Sequence, residues 1–423
     1  MNRRTWTGVA TAFLGGAALT GWLWVQGAVE PGFLRYQPVL EARRPAGTQS
    51  AALPLGALVD PVRPEAPGFP RWTAKPAEPF APVLARLVPR PYTGPRVPRP
   101  EHVRGIYLTG WVAGLAPRFA ELVRLVDATP LNTMVIDVKD DEGTLTYRMH
   151  LPPGLDPGQQ TVKVADPDRL LATLREHRIY SVARLVVFKD QVLPKLRPEL
   201  AVQRPDGTPF RDRAGFLWAD PYDHRVWEYN VAVAKDAASR GFAEIQFDYV
   251  RFPDVPKTTP LVFPAQDGRS KAEVIRDFLA YARRELAPYG VKVSADIFGL
   301  VTTVRDDLGI GQNFEAVASV VDWISPMAYP SHYALGEFGL PDPDARPYET
   351  VYLSLRDAVR RLRAANLKTQ IVPWLQDFSL RHPYGTAELL AQVKAAAELG
   401  IDDWYLWNPR NRYTEPALRQ LGG

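Results

Sequence analysis

The stretch Gly241-Phe242-Ala243-Glu244-Ile245-Gln246-Phe247-Asp248-Tyr249-Val250-Arg251-Phe252-Pro253 decides how this chain is read. It alternates with period two: Gln246 and Asp248 share one face, and Ile245, Phe247 and Tyr249 share the other. A buried strand places two polar side chains on one face chiefly where that face opens onto a site. The strand predicted over 242–249 ends in a carboxylate, followed by an arginine and a proline turn. Asp248 is therefore the residue around which a functional site is expected.

Working outward, seven more short β-branched runs flank this one, over 103–109, 132–138, 180–188, 291–298, 320–327, 369–376 and 402–407. Amphipathic helical stretches separate them, over 117–127, 168–177, 224–240, 272–286, 351–365 and 386–399. Gly241, Gly290 and Gly400 stand between a helix and a strand, where a left-handed C-cap is wanted. Eight strand–helix units in roughly 310 residues match an α/β fold of the (β/α)8 TIM-barrel class with insertions. A doubly wound open sheet competes, but it calls for a glycine-rich phosphate loop after the first strand, and none is present.

The region before this domain reads differently. Arg3 and Arg4 precede an uncharged run over 5–29, the pattern of an export signal or, at that length, a membrane anchor. Thirteen prolines fall between Pro54 and Pro100, which favours a semi-rigid extended spacer. The expected organisation is a signal peptide or anchor over 1–30, a Pro-rich basic linker over 31–102, and the barrel over 103–423. Exported placement in the cell envelope or outside the cell follows from that leader.

The charge is unevenly shared. Residues 1–104 carry 13 Lys/Arg against 6 Asp/Glu, a net of +7, so the rest of a chain of overall charge +4 carries −3. The basic footprint of a nucleic-acid binder is thus missing from the main domain. There is no cysteine among the 423 residues, which excludes disulfides and thiol chemistry. Six scattered histidines form no metal-binding spacing, and no G-x-S-x-G elbow occurs. No metal or other cofactor is expected.

In a barrel the reactive groups come from the C-terminal ends of the strands. Those ends bring carboxylates, amides and aromatic rings to one rim, the combination a sugar site uses. In the strand over 291–298, Ser294 and Asp296 share the polar face opposite Val293, Ala295 and Ile297. Asp248 and Asp296 are then expected at one level on neighbouring strands, as a two-carboxylate pair. Arg251 beside Asp248 would favour its charged form, and Phe298 near Asp296 would raise that pKa. This assigns Asp248 as nucleophile or base and Asp296 as acid, with the reverse order also compatible.

Further candidates line the same rim. Asp137 is in the polar phase, next to Lys139 and Asp140, and fits substrate binding or a structural charge network equally; Lys139 and Arg251 are also candidate substrate contacts. Asp377 falls one residue past its strand. Trp111, Tyr329, Trp374 and Trp407 are candidate sugar platforms, each of which also fits a core position. His332 lies in the shaped loop over 326–333, as a substrate contact or a structural histidine.

Several segments carry a family resemblance. They are Arg104-Gly105-Ile106-Tyr107-Leu108-Thr109, Ile136-Asp137-Val138-Lys139-Asp140-Asp141, Trp218-Ala219-Asp220-Pro221-Tyr222, the Asp248 strand, Ser294-Ala295-Asp296-Ile297-Phe298-Gly299, and Ile310-Gly311-Gln312. Ser325-Pro326-Met327-Ala328-Tyr329-Pro330-Ser331-His332-Tyr333 and the run over 404–408 continue the series. In this the chain resembles a bacterial glycoside hydrolase family, long known as a domain of unknown function and related to other barrel glycosidases. The resemblance implies a (β/α)8 glycosidase-like fold with functional carboxylates at Asp248 and Asp296. The expected activity is hydrolysis of a cell-surface or extracellular polysaccharide by two-carboxylate catalysis. A non-catalytic barrel that binds wall glycans is the competing reading.

Overall fold

The computed structural model describes residues 89–151, 156 and 162–422. The leader expected over 1–30 and most of the linker lie outside the described residues. Nine strands form one closed parallel sheet: β1 Arg104–Leu108, β2 Thr133–Lys139, β3 Tyr180–Val186, β4 Glu244–Asp248, β5 Lys292–Phe298, β6 Trp323–Met327, β7 Gln370–Ile371, β8 Trp374–Gln376 and β9 Trp404–Trp407. They run in the order β5-β4-β3-β2-β1-β9-β8-β6-β7, and pairing of β5 with β6 closes the ring.

The ring has eight staves, because β7 and β8 are two halves of one. A single strand was expected over 369–376. Pro373 interrupts it, since proline has no N–H to give the ladder. Its carbonyl still accepts the Tyr405 N–H from β9 at 2.9 Å.

Helices cover the outside of the barrel. The helix His224–Arg240 starts at the Asp223 cap and stops where Gly241 turns left-handed at φ 111°. The helix Lys271–Leu286 opens with a capping box in which Ser270 and Glu273 satisfy each other's backbone N–H. It buries Val274, Ile275, Phe278, Leu279, Ala282 and Leu286 as one stripe against the sheet. Among the described residues, no helix is long and apolar enough to cross a membrane.

The N-terminal mouth of the barrel is floored. Residues 89–102, expected to be linker, pack there. Arg96 donates from Nε to the Phe242 carbonyl at 3.0 Å and from Nη2 to the Ala238 carbonyl at 2.9 Å. Arg99 pairs with Asp403 at 3.3 Å and lies over the Trp323 ring at 4.3 Å. Just above, the buried Glu244 carboxyl accepts from Tyr180 Oη, Ser294 Oγ and Trp323 Nε1 at 3.2, 2.5 and 2.6 Å. Burial raises its pKa, and these three donors pull the other way.

At the opposite mouth, two insertions form a small cap on the β3–β4 side. Antiparallel bridges join Lys189 to Trp218, Ala201 to Ala219 and Gln203 to Val262. Asp220 ties the two insertions together, accepting the N–H of Tyr222 at 2.9 Å and of Ala265 at 3.0 Å.

Candidate active site

The strand register brings the two leading carboxylates together. β4 and β5 pair with Phe247 opposite Ala295, so Asp248 and Asp296 occupy the next rung on the inner face. Adjacent strands lie about 4.8 Å apart. Both side chains are recessed, with Asp248 5% and Asp296 1% exposed.

Three N–H groups converge on Asp248. Arg184 donates to its Oδ2 from Nε at 2.9 Å and from Nη2 at 2.6 Å. The Tyr249 backbone N–H reaches Oδ1 at 2.6 Å, and Tyr249 adopts a left-handed φ of 47°. A non-glycine residue held in that region immediately after a site carboxylate is a local cost that the surrounding structure must offset.

Asp296 has a different environment. Its Oδ1 accepts the Trp374 indole N–H at 2.8 Å. Burial, and then the negative charge of Asp248, hold its carboxyl well above the usual range, while Trp374 and Arg184 oppose the shift. Two neighbouring carboxyls are thus set apart: one sits among N–H donors, the other favours its proton.

Arg184 is the hub of the site. Beyond Asp248, its Nη1 reaches Asp137 Oδ1 at 2.7 Å and its Nη2 reaches Asp141 Oδ1 at 2.9 Å. Tyr107 donates from Oη to Asp137 Oδ2 at 2.5 Å. Burial pushes the Asp137 carboxyl up to about 7 against the pull of Arg184. Trp407 stacks on Tyr107, with ring centres 4.0 Å apart, and lies 5.0 Å from the Arg184 guanidinium. No role was expected for Arg184, which lies inside the strand predicted over 180–188. The available signal was a lone arginine inside the apolar run Val182-Ala183-Arg184-Leu185-Val186, because a charge buried there needs carboxylate partners.

Two expectations about charged residues change. Alternation places Lys139 on the Asp137 face. Instead a register shift between Asp137 and Lys139 sets Asp137 opposite Arg184 but Lys139 opposite Leu185. Lys139 therefore leaves the lumen, pairing with Asp190 at 2.7 Å and donating to Asn230 Oδ1 at 2.9 Å. Arg251 was expected to be the partner of Asp248. The guanidinium bonded to Asp248 is that of Arg184, and Arg251 is held among aromatic rings.

The remaining candidates divide by exposure. Asp377 accepts the backbone N–H of Thr414 at 2.9 Å and its hydroxyl at 2.5 Å, which fastens the C-terminal segment. Trp374 is buried beside Tyr405 and acts on Asp296 through its N–H. Tyr329 is buried, in edge contact with Phe378 and with His332. Burial and the nearby Arg381 push the His332 imidazole down to about 4, which leaves it neutral. Trp407 is half-buried at the mouth, and Trp111, 61% exposed, follows β1 on the same rim.

The chain is similar to several known proteins. The family model DUF4015, described as "Putative glycosyl hydrolase domain", matches residues 105–413. A hypothetical protein from Ruminiclostridium thermocellum is 39% identical over 48% of this chain and 98% of its own, with a TM-score of 0.42. The PgaB (BpsB) glycoside hydrolase domain from Bordetella bronchiseptica is 16% identical over 77% of this chain and 99% of its own, with a TM-score of 0.57. The glycoside hydrolase domain of PelA from Pseudomonas aeruginosa is 13% identical over 74% and 97%, with a TM-score of 0.43. No protein with a curated description matches.

Proposed function

The chain belongs to the DUF4015 glycosyl hydrolase domain family, and from that premise we propose that it hydrolyses a polysaccharide outside the cytoplasm, using Asp248 and Asp296 as its catalytic pair. The observation that carries the reading is the contrast between the two adjacent carboxyls. Asp248 is surrounded by three N–H donors, which suits a nucleophile or base. Asp296 is buried and pushed up by its neighbour, which suits a proton donor to the glycosidic oxygen. Arg184 positions Asp248, and Trp407 at the mouth offers a flat face for a sugar ring. The Arg3-Arg4 leader pattern supports export of the protein.

The test is a panel of bacterial wall, capsule and exopolysaccharides incubated with the wild type and with Asp248→Asn, read as released reducing ends. The reading requires turnover of at least one glycan by the wild type and its loss in the variant. The depth of Asp296 favours a second reading, a barrel that binds glycans without cleaving them. Binding of several glycans with no turnover of any selects that alternative.

A further inference from the structure

Arg251 is the charged residue whose surroundings the catalytic scheme leaves unexplained. It follows Asp248 by three residues and is 7% exposed. Its guanidinium lies 4.5 Å from the Phe298 ring, 4.8 Å from Trp218 and 5.2 Å from Tyr249. Phe298 ends β5, two residues after Asp296, so these rings place Arg251 at the β4–β5 edge of the catalytic mouth. Cation–π contact offsets part of the cost of burial, and burial still lowers the pKa of the guanidinium.

Its hydrogen bonding is incomplete. Nη1 donates to the Phe252 carbonyl at 3.1 Å. Among the described residues, no carboxylate lies within ion-pair distance of Arg251. The acidic groups nearby are committed or solvated. Asp248 is held by Arg184, Asp212 accepts the Trp218 indole N–H at 3.0 Å, and Asp254 is exposed. Among the described residues Nε and Nη2 make no hydrogen bond, and neither is sealed from solvent completely. That Nε/Nη2 edge is one of the guanidinium faces that grips a planar carboxylate through two parallel bonds.

We propose that Arg251 forms a subsite for the carboxylate of an acidic sugar, so that the substrate is a uronate-containing polysaccharide. This rests on the glycoside hydrolase reading for its placement beside the reacting bond. The aromatic walls fix the fork and leave one edge for a ligand. Arg184 offsets part of the negative charge at Asp248, which lowers the repulsion an anionic sugar meets there.

The experiment uses the full chain carrying Asp248→Asn, so that glycans are bound without turnover. Calorimetric titration compares oligoglucuronate, oligogalacturonate and oligomannuronate with the carboxyl-reduced counterpart of each. At least one acidic chain should bind about tenfold more tightly than its reduced partner, the scale of one charge-assisted pair. Adding Arg251→Gln should abolish that difference while the reduced chain binds as before. Arg251→Lys, which keeps the charge but not the fork, should retain only part of the preference and guards against a folding defect in the first variant. Equal binding within every pair, no binding of any acidic chain, or a preference that survives Arg251→Gln overturns the proposal. Turnover by the wild type is measured separately. Acid preference without turnover keeps this subsite and removes the hydrolase reading, whereas turnover of neutral chains alone does the opposite.

Discussion

Arg184 on β3 grips Asp248 on β4 through two nitrogens that share one oxygen, Nε at 2.9 Å and Nη2 at 2.6 Å. The same guanidinium also reaches Asp137 and Asp141, so one cation sets the position of three carboxylates. Replacing it with lysine keeps the charge and loses the fork. We expect Arg184→Lys to fold and to lose about 10²-fold in kcat/KM, mainly in kcat. Arg184→Met leaves buried carboxylates uncompensated and should cost about 3–5 kcal/mol in denaturant unfolding.

Asp248→Asn should lower turnover by about 10³-fold or more, within the range of lost acid–base or nucleophilic catalysis. With its amide oxygen on Arg184 the variant should fold and still bind glycans, at some cost in stability because the amide nitrogen then faces the Tyr249 N–H. Undiminished hydrolysis by this variant would remove Asp248 from the chemistry.

Trp374→Phe removes the indole N–H that favours the charged form of Asp296. The carboxyl of Asp296 should then keep its proton to higher pH. If Asp296 is the general acid, the alkaline limb of the kcat/KM profile moves upward, and the acid limb stays in place. A downward or absent shift would count against that role.

The Asp137 carboxyl is pushed up from 3.8 to about 7 by burial. Between those values the folded state binds more protons than the unfolded chain, so this group's contribution to stability falls as pH rises from about 4 to about 7. Relative to the wild type, Asp137→Asn should therefore gain stability between pH 5 and pH 8, on the order of a few kcal/mol. Thermal midpoints of the two proteins at both pH values check the sign.

A chain beginning at residue 89 keeps the Arg96 and Arg99 contacts with the barrel floor. One beginning at residue 104 loses them. It should be weaker by about 3 kcal/mol in urea unfolding, the scale of several lost partly buried polar contacts.

Much of the barrel was legible because each strand is short and apolar and each helix carries its own punctuation. Gly241 ends the helix over 224–240 as read, and Gly290 turns left-handed ahead of β5. The pairing of Asp248 with Asp296 was legible for the same reason, since alternation on two neighbouring strands puts both carboxylates inside. Lys139 was misplaced because one bulged residue inverts the faces that follow it, and alternation carries no sign of a bulge.

The chain's local pattern, then, determined which residues form strands and which carboxylates end at the rim. Those properties depend on near neighbours in sequence and on steric periods of two and 3.6. Tertiary structure decided which cation meets Asp248. Arg251 is three residues away in the chain, yet the partner is Arg184, 64 residues away. Closing the sheet sets β3 beside β4 and carries Arg251 up between Trp218 and Phe298. Ion pairing is decided by distance in space and by what else must be buried, and neither can be read along the chain.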